Sequence, residues 1–284
     1  MERPSADGRS HRGTPSRSRT RIHAYHQAPD PAVAAGRRLH GADRLCRRPR
    51  PRGLGGDRRP DGWGRSPTRR GPEGSTSASI TVFNGQIAVF DTEPLTPKGG
   101  CRQLTPRAVT CGTSATEFTA NLGDMDDSFS VGVSFRGAVN GQDGNDSLIA
   151  GAGSSTGRAI TWSGGAGIDT VSYKSSDSSV RVSLDNQAND GRNIDSDNVR
   201  DDVENIVGST FGGDFLIGAD FANNRIDDGG GAGDKLFGLG GNDRLFAKDL
   251  AADGDLNCGL GIDEIVVDKT VDPRPVGCET VQEF

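Results

Sequence analysis

Residues 208–268 decide the fold of this chain and read GSTFGGDFLIGADFANNRIDDGGGAGDKLFGLGGNDRLFAKDLAADGDLNCGLGIDEIVVD. Apolar residues recur here every nine to eleven positions, at Leu216, Ile226, Leu236, Leu245, Leu256 and Ile265. An acidic or amide residue precedes each of them by two or three positions, at Asp214, Asn224, Asp234, Asp243, Asp253 and Asp263. So short a period predicts one tight turn and one very short strand per unit, because a helical repeat would need two helices in each unit.

The residue types of one unit suit such a turn and strand. Glycine adopts positive φ in a tight turn without steric cost. The apolar residue is the inward side chain of its short strand, because neighbouring side chains point to opposite faces. The Asp closes the turn and offers a hard oxygen ligand.

Similar units continue upstream. They include Gly164–Ser172 (GGAGIDTVS), Gly141–Ile149 (GQDGNDSLI) and Leu122–Phe129 (LGDMDDSF). The pattern resembles the G-G-x-G-x-D-x-U-x nonapeptide of the RTX (repeats-in-toxin), haemolysin-type calcium-binding family. This resemblance covers residues 120–268 with gaps, and Met125 stands where the family has glycine.

The resemblance implies an all-β fold, a parallel β-roll whose turns hold Ca²⁺ as the cofactor. The implied metal ligands are Asp127, Gly144, Asp146, Gly165, Gly167, Asp169, Asp214, Asp234, Gly241, Asp243, Asp253, Gly261 and Asp263. Two repeats should make one coil, so alternate repeats should lie on opposite edges. Asp214, Asp234 and Asp253 should then form one column, and Asn224, Asp243 and Asp263 the other. Because Asn224 replaces Asp and two turns are irregular, an alternative is a solenoid in which many ion sites are degenerate.

Composition divides the chain into unlike parts. Residues 1–75 hold 18 Arg, no Lys and 7 acidic residues, whereas residues 76–284 hold 15 basic and 32 acidic residues. Of those 32 acids, 26 are Asp and 6 are Glu, which favours turns and ligands over helical surface. The hydrophobic fraction is 32%, so we expect a thin core that needs bound ions or disulfides.

Residues 1–75 are predicted to be disordered, since they are rich in Arg and Pro and have no apolar period. An alternative is a coding region translated from a wrong start or in a wrong frame. No signal peptide is visible, and Arg37-Arg38 is followed by no apolar segment. A nucleic-acid-binding tail is disfavoured by the acidic body, so no nucleic acid partner is expected, and no apolar run predicts a membrane span.

The remaining boundaries follow from local signals. Residues 76–120 are predicted to be a β-rich lead-in, with a hairpin formed by Ile80–Phe83, Asn84-Gly85 and Gln86–Phe90. Residues 121–284 carry the repeats, interrupted by an insert at 173–207. That insert contains a predicted strand at Val180–Leu184 and an acidic loop that is either solvated or binds a further ion.

Four of the five cysteines fall outside the first segment, which contains Cys46. Four cysteines permit three pairings, and sequence proximity favours Cys101–Cys111 and Cys258–Cys278. The alternative is that they are free thiols. Disulfides and millimolar calcium both point to an extracellular setting.

Two function classes remain open at this stage. Residues 76–284 contain no His to act as a general base and no G-x-S-x-G sequence, so no catalytic residue is expected. The first class is a secreted calcium-binding structural or surface protein, whose cell-surface or matrix partner the sequence does not identify. The second is the calcium-binding repeat domain of a larger secreted enzyme or toxin.

Overall fold

The computed structural model describes residues 21–25, 75–98, 100–152 and 157–284, and within these ranges it contains strands and no helix. The strands are β1 (Arg21–Tyr25), β2 (Ser77–Phe83), β3 (Gln86–Asp91), β4 (Arg102–Thr105), β5 (Ala108–Thr110), β6 (Glu117–Asp124), β7 (Ser128–Gly132), β8 (Arg136–Asp143), β9 (Ser147–Ala150), β10 (Ile160–Ala166), β11 (Thr170–Ser172), β12 (Val180–Ser183), β13 (Gly191–Arg192), β14 (Asn198–Val199), β15 (Asn205–Val207), β16 (Phe215–Ile217), β17 (Arg225–Asp227), β18 (Lys235–Phe237), β19 (Arg244–Ala247), β20 (Leu256–Asn257), β21 (Glu264–Val267) and β22 (Thr280–Glu283).

These strands form a parallel β-solenoid of about eight turns, which confirms the predicted fold class. Sheet B has twelve strands, in the order β22-β21-β19-β17-β15-β11-β9-β7-β2-β3-β5-β4. Sheet A has the order β1-β6-β8-β10-β14, and sheet C has the order β13-β12-β16-β18-β20. From β6 to β21 the strands alternate between sheet B and either sheet A or sheet C, except in the insert, where β12 and β13 join sheet C and β14 joins sheet A. Two repeats therefore make one coil, as predicted.

The apolar residues of the repeats stack into continuous columns inside the solenoid. Leu236 pairs with Leu216 on one side and Leu256 on the other, and Leu245 pairs with Ile226 and Ile265. Each of these side chains is almost fully buried. The flanking residues of each short strand are half-buried, as expected where one side chain per strand points inward.

Truncating one of these stacked leucines is expected to destabilise the fold. In Leu236→Ala the neighbours Leu216 and Leu256 lose their packing partner, and we expect a loss of about 2–5 kcal/mol in the free energy of unfolding. Urea unfolding in calcium-containing buffer measures the change. Leu260→Ala is the matched control, because Leu260 is 81% exposed. Equal losses in both variants would contradict the stacked core.

The insert at 173–207 moves the chain from one sheet to another. After β11 the chain enters sheet C as β12, returns antiparallel as β13, and then completes sheet A as β14 beside β10. The predicted strand at Val180–Leu184 is therefore confirmed. The alternative of a solvated acidic loop holds only for Asp185, which is exposed, because Asp190, Asp195 and Asp197 are buried against the solenoid.

Charged hydrogen bonds hold the insert in place. The Arg158 Nε donates to Asp197 Oδ2 over 3.1 Å, and the Tyr173 hydroxyl donates to the same oxygen over 3.1 Å. Arg192 donates from its Nε to Asp195 Oδ2 over 2.9 Å. Basic side chains and backbone amides therefore satisfy these acids, which argues against a further ion site in the insert.

Antiparallel strands cover the amino-terminal end of the solenoid. The predicted hairpin is confirmed: β2 and β3 join through Asn84 and Gly85, whose φ angles are +50° and +74°. On sheet A, β1 pairs antiparallel with β6, and Ile22 packs against the core. The predicted disorder of residues 1–75 is thus wrong at Arg21–Tyr25, where an unpaired sheet edge was available. The other residues of that segment lie outside the described residues.

Both predicted disulfides are present, Cys101–Cys111 beside the amino-terminal strands and Cys258–Cys278 in the last coil. Disulfides of this kind are typical of proteins in oxidising, extracellular settings. Cys46 lies outside the described residues. Among the described residues there is no helix long and apolar enough to cross a membrane.

Candidate metal centre

The turns at the two edges of the solenoid align their acidic residues in two columns. The turns that enter sheet B form the long column, which consists of Asp127, Asp146, Asp169, Glu204, Asn224, Asp243, Asp263 and Glu279. The turns that enter sheet C form the short column, which consists of Asp214, Asp234, Asp253 and Asp272. The predicted separation of alternate repeats is therefore confirmed.

One carboxylate oxygen of each column member ties adjacent coils together. Asp263 Oδ1 accepts the backbone N–H of Asp243 over 2.6 Å, and Asp243 Oδ1 accepts that of Asn224 over 2.8 Å. In the short column, Asp234 Oδ1 accepts the N–H of Asp214 over 2.6 Å. The column thus contributes to coil stacking through one oxygen and leaves the second oxygen for another partner.

The second oxygen is buried and has no hydrogen-bond donor in six turns. These oxygens are the Oδ2 atoms of Asp146, Asp169, Asp234, Asp243, Asp253 and Asp263. A buried carboxylate oxygen without a partner is costly, because the charge has lost its hydration. These six residues were all predicted as ligands, and they are the strongest candidates for contact with a cation.

In two turns, a backbone N–H of the same turn donates to the side-chain oxygen that would otherwise be unpartnered. Asp214 Oδ2 accepts the N–H of Ser209 over 2.5 Å, and Asn224 Oδ1 accepts the N–H of Ala219 over 2.8 Å. The amide nitrogen of Asn224 also donates to the Glu204 carbonyl over 3.0 Å. Asp214 is therefore a predicted ligand that the structure pairs with protein donors, and Asn224 needs no ion.

Backbone conformation distinguishes the two kinds of turn. Ser209 donates to Asp214, and Ala219 donates to Asn224. Each donor directly follows the residue that begins its turn, which is Gly208 or Gly218. In five turns with an unpartnered oxygen, the residue at this place has positive φ: Gln142, Gly165, Gly229, Leu239 and Gly259. Gln142 and Leu239 adopt this conformation without being glycine, at a cost of about 1–2 kcal/mol each. The strained backbone therefore accompanies a turn that does not donate to its own acid.

The glycine that begins the turn leaves no room for a side chain beside three of the unpartnered carboxylates. A Cβ added to Gly238 would lie 2.5 Å from Asp243 Oδ2 and 2.2 Å from the carbonyl oxygen of Cys258 in the next coil. The same arrangement occurs at Gly164, where the two atoms are Asp169 Oδ2 at 2.5 Å and the Asp202 carbonyl oxygen at 2.3 Å.

Gly141 has the same arrangement, with Asp146 Oδ2 at 2.2 Å and the Gly164 carbonyl oxygen at 2.4 Å. Gly208 beside Asp214 and Gly218 beside Asn224 show the same crowding, so this geometry belongs to the turn and does not by itself mark an ion site. Carboxylate and carbonyl oxygens are nevertheless the ligand types that calcium prefers.

The predicted ligand glycines stack directly on the preceding coil. A Cβ at Gly241 would lie 1.6 Å from the carbonyl oxygen of Ala222, and one at Gly261 would lie 1.5 Å from that of Gly241. Gly144, Gly165 and Gly167 show the same crowding, between 1.8 and 2.2 Å. All five have positive φ. These positions therefore exclude side chains and bring backbone oxygens of successive turns together.

Burial raises the pKa of several carboxyls in the two columns. Desolvation raises the pKa of Asp146 and Asp243 to about 6, and that of Asp234 and Asp253 to about 7. Neighbouring carboxylates of the same column add to this effect. A bound cation would lower these pKa values again, because its positive charge opposes both the desolvation and the repulsion between carboxylates.

Asp127, which lies at the amino-terminal end of the long column, differs from these residues. Its Oδ1 accepts from both the backbone N–H and the hydroxyl of Thr76, over 2.6 and 2.9 Å. The lead-in segment thus caps this predicted ligand, because β2 lies beside β7. Asp127 is buried but supplies a stacking contact to the end strand.

A second acidic group lies outside the repeat register. The carboxylates of Asp228, Asp249 and Asp253 each place an oxygen within 4.8 Å of the others. We call these three residues the acidic cluster. Only Asp253 was predicted as a ligand. Asp228 aligns with Gly208 of the preceding coil. The repeat pattern has a glycine and no acid at this position, so it did not predict Asp228 as a ligand.

Comparison with known proteins adds no assignment. No protein-family model, curated protein or solved structure matches this chain.

Proposed function

We propose that this chain is a secreted calcium-binding repeat protein, whose β-roll folds around Ca²⁺ held between stacked turns. The observation that carries the proposal is the set of six buried, unpartnered Oδ2 atoms in the two columns. The resemblance of the repeats to the RTX nonapeptide supports the same choice of ion.

The residues of the two columns fit a calcium ion. Asp146, Asp169, Asp243 and Asp263 would contribute carboxylate oxygens on the long column, and Asp234 and Asp253 on the short column. Backbone carbonyls of adjacent coils would complete the shell, and all of these ligands are hard oxygens. Bound calcium supplies the positive charge that buried carboxylates need. The protein residues fix the spacing, while one oxygen of each Asp stays bonded to the neighbouring coil.

Coupling of binding to folding follows from this arrangement. Each candidate site uses residues from two coils, so it exists only when the coils are stacked. Ions that bind only the folded chain stabilise it by mass action. The two disulfides agree with an extracellular setting, where calcium is abundant.

Asp243→Asn is expected to remove one bound calcium per chain in isothermal titration calorimetry. The amide keeps the shape of the side chain, and Asn224 shows that the long column accepts an amide. Wild-type sites should bind with dissociation constants of about 10⁻⁴–10⁻³ M, the range of extracellular modules.

Asp214→Asn is the matched control. Its second oxygen already accepts a protein N–H, so this variant should lose stability but keep the wild-type number of calcium ions. No calcium heat from the wild-type chain at neutral pH would reject the proposed function. An unchanged count in Asp243→Asn would reject the assignment of that ligand.

A further inference from the structure

The acidic cluster brings three carboxylates together from two coils. Asp228 begins the turn between β17 and β18, whereas Asp249 and Asp253 belong to the turn between β19 and β20. Their oxygens lie within 4.8 Å of one another. Carboxylates at this separation repel strongly in a buried place unless a cation lies among them.

Backbone donors satisfy only part of the cluster. Asp228 Oδ1 accepts the N–H of Gly230 over 3.1 Å, and Asp253 Oδ1 accepts that of Asp234 over 3.2 Å. Both oxygens of Asp249 accept backbone N–H groups, from Gly231 and Ala251.

Two oxygens of the cluster remain without a donor, Asp228 Oδ2 and Asp253 Oδ2. Asp228 is only 4% exposed, so water cannot easily compensate. The cluster therefore has a second feature besides the proximity of its three acids. It contains a nearly buried carboxylate oxygen that has no hydrogen-bond donor.

Basic side chains do not neutralise the cluster. No ion pair among residues 75–98, 100–152 and 157–284 involves Asp228, Asp249 or Asp253. Arg225 binds Asp227 over 2.8 Å, Lys235 binds Asp255 over 2.7 Å, and Lys248 lies over the ring of Phe284. The nearest basic residues in sequence are thus engaged elsewhere.

We propose that Asp228, Asp249 and Asp253 form a separate site for a hard divalent cation of the size of calcium. The site is not a repeat-register site, since two of its three acids stand at positions where the repeat has no acid. It shares Asp253 with the proposed calcium-binding function. Carboxylate oxygens this close can surround one calcium ion at about 2.3–2.6 Å in an irregular shell, whereas magnesium requires about 2.0–2.1 Å and a stricter octahedron.

The structure supplies a conservative way to remove this site. Asp228→Gly restores the residue that Gly208 provides at the equivalent place one coil earlier. Asp228→Asn keeps the shape and removes the charge, and it serves if the glycine variant folds poorly. Asp220→Asn is the control, because Asp220 is an exposed turn acid outside the cluster.

The test is the number of calcium ions bound by the full chain, measured by equilibrium dialysis at about 1 mM calcium, the weak end of extracellular affinities. We expect both Asp228 variants to bind one ion fewer than the wild type, and Asp220→Asn to bind the same number. Adding magnesium at the same concentration should not increase the number of ions that the Asp228 variants bind.

The outcomes separate this site from the proposed function. If the Asp228 variants lose one ion while Asp243→Asn loses none, the cluster stands and the assignment of Asp243 as a ligand fails. If Asp243→Asn loses one ion while the Asp228 variants keep the wild-type number, the cluster is overturned and the proposed function stands. A folded wild-type chain that binds no calcium would overturn both.

Discussion

Removal of calcium is expected to lower the midpoint of thermal unfolding by about 5 °C or more at pH 7.5. Sites with dissociation constants of about 10⁻⁴–10⁻³ M, in about 1 mM calcium, each stabilise the folded chain by about 0.4–1.4 kcal/mol. If each of the six unpartnered Asp carboxylates holds one ion, the sites together contribute about 2–8 kcal/mol, and each kcal/mol moves the midpoint by about 2–4 °C in a chain of this size. Circular dichroism melts with calcium and with excess chelator measure the difference.

The metal-free chain should regain stability as the pH falls. Desolvation raises the folded-state pKa of Asp228 to about 8 and that of Asp234 and Asp253 to about 7, above an unfolded value of about 4. The folded chain therefore binds more protons than the unfolded chain between these values, and its stability falls as the pH rises from about 4 to about 8.

With calcium present this trend should be reversed, because protons compete with the metal for the carboxylates. Melts of metal-free protein at pH 5 and pH 7.5, compared with melts in calcium at the same pH values, check both signs. Identical midpoints with calcium and with chelator at pH 7.5 would contradict an ion-stabilised roll.

Gly241→Ala is expected to destabilise the chain by about 3 kcal/mol or more. The new Cβ would lie 1.6 Å from the carbonyl oxygen of Ala222, and the backbone φ of +141° is itself unfavourable for alanine. Because that carbonyl belongs to the backbone of the preceding coil, relief of the clash requires the coils to separate. Urea unfolding in calcium measures the loss.

The adjacent glycine supplies the control for this variant. A Cβ at Gly240 would meet atoms only at 3.6 Å or more, and its φ is not positive. Gly240→Ala should therefore change stability by less than about 1 kcal/mol, and it can stabilise the chain by restricting the unfolded state. A similar cost for both variants would show that coil stacking does not set the requirement for glycine.

The sequence was sufficient to predict the coil and its two edges. One apolar residue and one acid per unit determine which side chain points inward and which closes the turn, so Leu236 and Asp234 could be placed by counting. The pairing of cysteines was also predictable from their proximity in sequence, as Cys258–Cys278 shows.

The parts that were missed depend on contacts between distant residues. The burial of Asp197 depends on Arg158, 39 residues away, and the pairing of β1 depends on the free edge of β6. Asp214 occupies the acid position of its repeat, as Asp243 does, yet a backbone N–H of its own turn satisfies it. Asp228 could not be recognised because its partners, Asp249 and Asp253, come from the next coil.

The positions of the two disulfides affect how this linear array of coils unfolds. A solenoid is quasi-one-dimensional, so its units contact mainly their neighbours and its ends are the natural places to fray. Here Cys101–Cys111 ties strands at one end of sheet B, and Cys258–Cys278 ties the last coil at the other. Fraying from both ends is thereby suppressed. Unfolding from either end of sheet B must then open a disulfide-linked segment, so the pinned ends make the array more cooperative than its repeats alone.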